Sequence, residues 1–273
     1  MVEILDLSFN VLEDLNENVF RELISLHSLD LGNNILKAIL TDTFRPLTNL
    51  RYLNLQNNRI NGLSSNVFND LINLRHLNLQ NNKFSILPKN VFGNLTNLNS
   101  LNLAKNQLEH LNENVFDHLI HLNNLDLSSN SLKELEPEIF VNLIQLTDLN
   151  LYNNKINKLM ADDFKGLKNL KWLYLDRNEL KVLPENIFNN SKNLNILLLN
   201  DNKLNSLHYN TFKCLSYLKI LNIRNNKLEK ENSFLKQLRM ENFDNLFLNT
   251  SDLDMNRLRS SFDHSILADF KYG

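Results

Sequence analysis

The chain repeats one pattern, LxxLxLxxNxLxxLxxxxFxxLxx, ten times, starting at Val2 and then every 24 residues without insertion or deletion. The segments LRYLNLQNNRI (50–60) and LNNLDLSSNSL (122–132) illustrate the match. We number the unit from its first Leu, so that its Asn is position 9, filled in ten repeats, and its Phe is position 19, filled in nine. A unit this short cannot bury its own apolar face, so the copies must stack into one continuous array.

The chemistry of the unit predicts how the copies stack. The LxL alternation is typical of a short strand with its leucines on one face, and parallel pairing of successive strands would join these leucines into a core. An Asn amide both donates and accepts, so a column of buried Asn can satisfy the backbone groups of the turn after each strand. The Phe column would fill the opposite side. The sequence therefore predicts an α/β solenoid, a horseshoe with a concave parallel sheet and an irregular or short-helical convex side.

This unit resembles the leucine-rich-repeat family, in particular its 24-residue Phe-containing class. The resemblance covers residues 2–228 and is to Toll-like receptor ectodomains, chaoptin-type adhesion proteins and secreted leucine-rich-repeat proteins. It implies innate-immunity or adhesion-type recognition of protein, glycan or microbial ligands without catalysis. Such proteins usually carry Cys-rich end caps and a signal peptide. This chain departs from them, because its single cysteine is Cys214 and its first residues, MVEILDLSFN, lack the order of a signal peptide.

The repeat register predicts two segments of different kinds. Residues 1–228 form the ten repeats, and residues 229–273 are expected to form a degenerate eleventh repeat and a C-terminal cap, or a tail. No polar cap precedes the first repeat, so an incomplete chain is expected, with a tight N-terminal unit or a dimer partner as alternatives. In the eighth repeat Ser191 replaces the position-22 Leu, which predicts a looser convex segment.

The outward positions of the strands change in character along the array. The segment LKWLYLDRNEL (170–180) holds the chain's only Trp, and alternation directs Trp172 and Tyr174 away from the leucine core. Earlier repeats place mostly small or polar groups there, whereas the later ones place apolar and aromatic groups on neighbouring strands. The candidate ligand-binding residues are Tyr152, Trp172, Tyr174, Asp176, Arg177, Ile196, Leu198, Ile220 and Arg224, with Asp148 at the border and Tyr52 and His76 as a second concave pair.

A contiguous apolar cluster with a polar rim usually marks an interaction site, and Trp, Tyr and Arg are enriched at binding hot spots. The alternatives are that residues 229–273 fold back over the cluster, or that the isoleucines are ordinary filling of the sheet face. A protein partner is favoured, with a glycan or microbial ligand as alternatives. The formal net charge of −2, without a basic block, argues against nucleic acid. The oligomeric state does not follow from the sequence.

The chain shows no catalytic, cofactor or metal motif, so neither an enzyme nor a cofactor is expected. The pair His118 and His121 has metal-ligand spacing but no third ligand, and is expected to be solvated surface. Cys214 is expected to be a partly exposed convex thiol. No stretch approaches the ~20 apolar residues of a membrane span.

Three Asn-x-Ser/Thr sequons begin at Asn94, Asn189 and Asn249. The first two follow position 19, where a glycan would leave the concave face open. They favour an extracellular or cell-surface protein. The alternative is a cytoplasmic scaffold for signalling partners, which a single free cysteine and the lack of a visible signal peptide would suit.

Overall fold

A computed structural model describes residues 2–228 of the chain. Ten three-residue strands and one short helix form in chain order, each strand occupying positions 3–5 of its repeat. The strands are β1 (Ile4–Asp6), β2 (Ser28–Asp30), β3 (Tyr52–Asn54), β4 (His76–Asn78), β5 (Ser100–Asn102), β6 (Asn124–Asp126), β7 (Asp148–Asn150), β8 (Trp172–Tyr174), β9 (Ile196–Leu198) and β10 (Ile220–Asn222), and the helix is α1 (Tyr209–Phe212).

All ten strands join one parallel sheet in sequence order, from β1 to β10. Each pairing aligns residues 24 apart, as in Leu29↔Leu53 and Leu149↔Leu173, so equivalent positions form columns across the sheet. The leucines of the repeat pack into one core that runs the length of the array. The predicted leucine-rich-repeat solenoid is therefore confirmed, and the register places Leu173 and Leu175 fully in the core.

The position-9 Asn column bonds each repeat to its predecessor. The Asn130 side-chain nitrogen donates to the carbonyl oxygens of Leu127 and, one repeat earlier, Leu103, both at 3.0 Å. Its Oδ1 accepts the Leu108 N–H at 3.0 Å. The same pattern recurs at Asn58, Asn82 and the other interior copies, so one amide satisfies buried groups of two repeats.

Position 8, directly before this Asn, adopts left-handed backbone angles in every repeat, with φ between 52° and 56°. Asn and Asp tolerate this region better than other side chains, because their short polar groups bond locally. Asn or Asp fills this position in six repeats: Asn33, Asn57, Asn81, Asn153, Asp201 and Asn225. The abundance of Asn in the chain thus has two causes, the buried column and the left-handed turn beside it.

The convex side is built from turns, with α1 in the ninth repeat. Seven neighbouring pairs of Phe side chains have ring centroids 6.1–6.4 Å apart; six pairs are stacked and Phe188–Phe212 is tilted by 42°. Ser191 is fully buried and keeps the turn of the Leu repeats, since its N–H bonds to the Phe188 carbonyl at 2.9 Å as the Leu71 N–H bonds to Phe68 at 3.0 Å. The missing leucine therefore leaves this backbone turn in place, and the predicted looser segment stays a prediction.

The first repeat is the most exposed part of the array, with Ile4 66% and Phe9 80% accessible. The predicted eleventh repeat and cap, residues 229–273, and the sequon at Asn249 lie outside the described residues. The division of the chain at residue 228 stays a prediction.

Candidate recognition surface

The structure brings six side chains together on the concave face, separate from the leucine core. Each lies at a position that alternates with the core leucines. Strand pairing aligns five of them, and Tyr152 follows two residues after β7. Trp172 lies beside Ile196 and Ile196 beside Ile220, while Tyr174 lies beside Leu198. We call this group the concave cluster: Tyr152, Trp172, Tyr174, Ile196, Leu198 and Ile220.

Burial within the concave cluster is uneven. Tyr174 and Leu198 are at most 1% accessible and Ile196 is 8% accessible, whereas Tyr152, Trp172 and Ile220 are half-buried. Position 5 is similarly buried where it is polar, as at Asn54 and Asn150, because side chains of adjacent strands crowd the middle of the face. Fewer side chains of the concave cluster are accessible to a ligand than alternation alone predicts. The accessible ones are the half-buried members.

Charged residues border the concave cluster. Arg177 is exposed, and its guanidinium carbon lies 5.6 Å from the centre of the Tyr152 ring, within cation–π range. Arg224, two residues after β10, is also exposed. Asp176, a predicted ligand-binding residue, is only 1% accessible and is therefore buried.

Asp148 borders the cluster beside Trp172, with which it is aligned in the sheet, and is 4% accessible. Burial raises the pKa of its carboxyl to about 6, against the opposing effects of a hydrogen bond from the Thr147 hydroxyl and the charge of Lys171. Its Oδ1 has no hydrogen-bond partner among the described residues. Asp148 is thus a carboxyl that changes charge near neutral pH at the edge of the cluster.

The second predicted pair also comes together. Tyr52 and His76 are aligned on β3 and β4, their ring centroids are 6.5 Å apart and tilted by 47°, and both are half-buried. Much of the remaining concave face is a hydrogen-bonded amide ladder, in which Asn78 donates to Gln56 Oε1 at 3.0 Å. The amide groups of the polar half thus form hydrogen bonds with one another. The Tyr52–His76 pair and the concave cluster are therefore the distinctive features of the concave face.

The remaining predicted sites lie on other faces. Asn94 and Asn189 are exposed, Thr96 of the first sequon is exposed, and Ser191 of the second is buried. Cys214 is half-buried, its thiol contacts the Phe188 carbonyl at 3.3 Å, and burial raises the pKa of this thiol. Within residues 2–228 no group of His, Cys, Asp or Glu could hold a metal ion, and no helix has the length and apolarity to cross a membrane.

Two open grooves lie away from the concave cluster, and of their residues only His121 was singled out from the sequence. One, of about 460 Å³, follows the ends of the strands and includes Arg59, Lys83 and Lys105. The other, of about 350 Å³, lies where the strands start and is lined by Arg51, Asn73, Arg75, Asn97, Asn99 and His121. The residues that line the second groove occupy repeat positions 24 and 2, on either side of the position-1 leucine. The repeat period could therefore have identified them from the sequence.

The chain folds as a solenoid of stacked repeats, and the concave surface of its parallel sheet is displayed. A model of the leucine rich repeat matches residues 120–180 and 168–228, and a model of the BspA type leucine rich repeat region, in six copies, matches residues 13–147. The chain belongs to the leucine-rich-repeat family. No curated protein matches the sequence.

Solved structures share the fold. A chain of the Toll–Spatzle complex of Drosophila is 24% identical with a TM-score of 0.72, and the match covers 88% of this chain and 35% of that one. A chain of the octameric complex of Latrophilin 3, Unc5D and FLRT2 is 23% identical with a TM-score of 0.74, covering 90% and 82%. A chain of the TLR13–ssRNA13 complex is 26% identical with a TM-score of 0.59, covering 89% and 46%. This chain thus spans about a third of the Toll chain.

Proposed function

We propose that this protein is a non-catalytic extracellular recognition module that binds a protein partner through the concave cluster. The observation that carries the proposal is the grouping of Trp172, Tyr152 and Ile220, half-buried, beside the exposed cations Arg177 and Arg224. Aromatic and arginine side chains with a polar rim are the composition of energetic hot spots.

A rigid scaffold supports such a role. The sheet and the Asn column fix the strands, so a partner would dock without ordering the backbone and would avoid much of the entropic cost of binding. Toll is solved with Spatzle, and FLRT2 with Latrophilin 3 and Unc5D, which are protein partners of similar solenoids. Because TLR13 is solved with single-stranded RNA, the expectation that nucleic acid is excluded has no support from these structures.

The location is tested by secretion. The complete transcript, with its native 5′ end, is expressed in animal cells, and we expect the product in the medium or at the cell surface. It should carry glycans that an amidase removes, and Asn94→Gln should lose one of them. An unglycosylated cytosolic product would contradict the extracellular proposal and favour the scaffold alternative.

The surface is tested by one substitution inside the concave cluster and one outside it. Once a partner is isolated by proximity labelling on cells, Trp172→Ala should weaken its binding by at least ~2 kcal/mol, as expected of a hot-spot residue. The melting temperature should hardly change. Tyr217→Ala, which removes an aromatic ring that is 62% accessible outside the cluster, is the matched control and should bind as wild type does. Equal binding by Trp172→Ala and wild type would refute the surface.

The only Trp of the chain also gives a direct readout. Because Trp172 is half-buried in the concave cluster, its fluorescence should shift when a partner covers it. A bound partner that leaves the spectrum unchanged would place the interface elsewhere.

A further inference from the structure

Four successive positions of the repeat, 23, 24, 1 and 2, form the edge of the solenoid where the strands start. We call it the strand-start edge. Across the nine copies from Ile24 to Lys219 it contains no Asp or Glu, although the chain has 31 acidic residues. It contains six Lys or Arg and two His: His27, Arg51, Arg75, His121, Lys168, Lys171, Lys192 and Lys219. From Ile24 to Lys219 this edge therefore carries charge of one sign, although the chain has a net charge of −2 and Glu3 occupies position 2 of the first repeat.

The cations on this edge are available. The six Lys and Arg and His121 are exposed, and none of the six forms an ion pair within residues 2–228. The opposite edge differs in part, because several of its cations pair with acids across repeats, whereas Arg59, Lys83 and Lys105 form no ion pair within residues 2–228. Examples are Lys133–Glu109 at 2.8 Å and Lys203–Glu179 at 2.6 Å. Unpaired cations along one edge concentrate a positive potential there.

The groove on this edge has a polar lining throughout. Arg51 and Arg75 come from adjacent strands, ~4.8 Å apart along the sheet. Between them and the convex side, Asn73 and Asn97 are held in place by hydrogen bonds to the carbonyls of Thr48 and Ile72, each at 2.9 Å. Guanidinium, amide and imidazole groups line the groove without an apolar side chain. These groups bind sulfate, carboxylate and hydroxyl groups. The exposed side chains of Ile72 and Ile120 lie at position 23 of the same edge but do not line the groove, so a folded protein would find an apolar anchor only beside the groove.

We propose that the strand-start edge binds a linear anionic glycan, of the sulfated or uronic-acid class, with Arg51 and Arg75 as its main contacts. The cations of the later repeats, from Lys168 to Lys219, form a second contact region. Four strand steps separate Arg75 from Lys171, about 19 Å, so a long chain would reach both regions. Single-stranded nucleic acid fits less well, because its usual aromatic stacking platform is represented on this edge by Tyr217 alone.

The first test uses the full chain and a heparin oligosaccharide as the probe. Arg51→Glu with Arg75→Glu should weaken heparin binding at least tenfold. The matched control is Arg59→Glu with Lys83→Glu, which makes the same charge change in the same repeats but in the strand-end groove. The control should change binding less than twofold. Equal losses in both variants, or no binding by wild type, would overturn the proposal. Circular dichroism checks that both variants fold, since all four side chains are exposed.

The second test distinguishes ligand classes and chain length. A single-stranded RNA and a polyglutamate peptide are titrated in parallel, and either one binding as tightly as heparin with the same dependence on Arg51 and Arg75 would overturn the glycan assignment. Lys171→Glu with Lys219→Glu should weaken a long heparin chain but leave a tetrasaccharide unaffected. A loss for the tetrasaccharide would refute the two-region arrangement. Neither test involves Trp172, so its outcome is independent of the concave cluster.

Discussion

Single residues of this protein are constrained mainly by hydrogen bonding in buried turns. An interior Asn such as Asn130 makes contacts to two repeats through one amide. A side chain of the same size cannot replace such an amide, because both its N–H donor and its carbonyl acceptor form hydrogen bonds. The consequences of losing it are therefore local and measurable.

Asn130→Ala should lower the free energy of unfolding by ~1–3 kcal/mol, because the buried Leu108 N–H would lose its acceptor and the Leu103 and Leu127 carbonyls would each lose one of two donors. Chemical denaturation of the purified chain measures this. Asn61→Ala, at an exposed position, is the control and should have little effect. An unchanged midpoint for Asn130→Ala would show that water satisfies the turn.

Asp163 occupies position 18, where Val or Ile fills most repeats, and is 3% accessible. Burial raises the pKa of its carboxyl to about 6, the Met160 N–H opposes this with a hydrogen bond, and the Asp162 charge adds to it. The folded state holds the proton of Asp163 more tightly than the unfolded state does. The contribution of this proton to the free energy of unfolding is therefore fully present below pH ~4 and is lost as pH rises through about 6.

Asp163→Asn keeps an acceptor for Met160 and removes the buried charge. It should therefore stabilise the protein near pH 7.5 by up to roughly 3 kcal/mol, with a gain that disappears near pH 4. Urea denaturation at several pH values tests this. Asp148, with a pKa also raised to about 6, retains its own pH dependence in the variant, and Asp70→Asn, at an exposed position in another repeat, is the control. A gain independent of pH would refute the titration account.

The elements of the fold are columns rather than isolated strands or helices, since each three-residue strand is stable only through its neighbours. The position-22 column illustrates this. Ser191 sits in a row of leucines, fully buried, and its hydroxyl has no hydrogen-bond partner among the described residues. The backbone turn persists because the adjacent repeats impose it.

Ser191→Ala should increase the free energy of unfolding by about 1 kcal/mol, because a buried unpaired hydroxyl is replaced by a methyl group. Thermal denaturation measures the change. Ser206→Ala, an exposed serine in the next repeat, provides the comparison. A destabilised Ser191→Ala would mean that the hydroxyl has a partner, such as an ordered water. The substitution also removes the Asn189 sequon, so it is best tested on unglycosylated protein.

At the scale of the whole array, the described residues 2–228 form a one-dimensional stack of repeats. Interior strands such as β5 bond on both sides, whereas β1 bonds only to β2 and carries the exposed Ile4. Stability of such arrays is approximately a sum over repeats and their nearest neighbours. Because Ile4 and Phe9 leave the first repeat more exposed than the interior repeats, its amides are expected to open more readily than interior amides.

Native-state hydrogen exchange should show this gradient. The Leu7 N–H, bonded to Asp30 in the second repeat, should exchange at least tenfold faster than the Leu103 N–H, bonded to Asp126 in the interior. Equal protection of the two amides would show that the described array opens as a single cooperative unit.

The repeat period by itself determined most of the fold. A 24-residue spacing assigns every Leu, Asn and Phe of the unit to a column, because stacked copies must repeat the same environment. It also placed Trp172 and Tyr174 opposite the core, as the separate concave cluster confirms. These conclusions needed only local pattern and the requirement to bury apolar groups.

Only the tertiary structure decided how much of each outward side chain is accessible. Tyr174 and Leu198 are buried although they alternate with the core, because crowding on a sheet depends on residues 24 positions away. The left-handed turn at position 8 and the grouping of Arg51 with Arg75 in one groove likewise come from the geometry of stacking. Period fixes which residues are neighbours, but packing between repeats fixes their exposure, and exposure limits which surfaces a partner can reach.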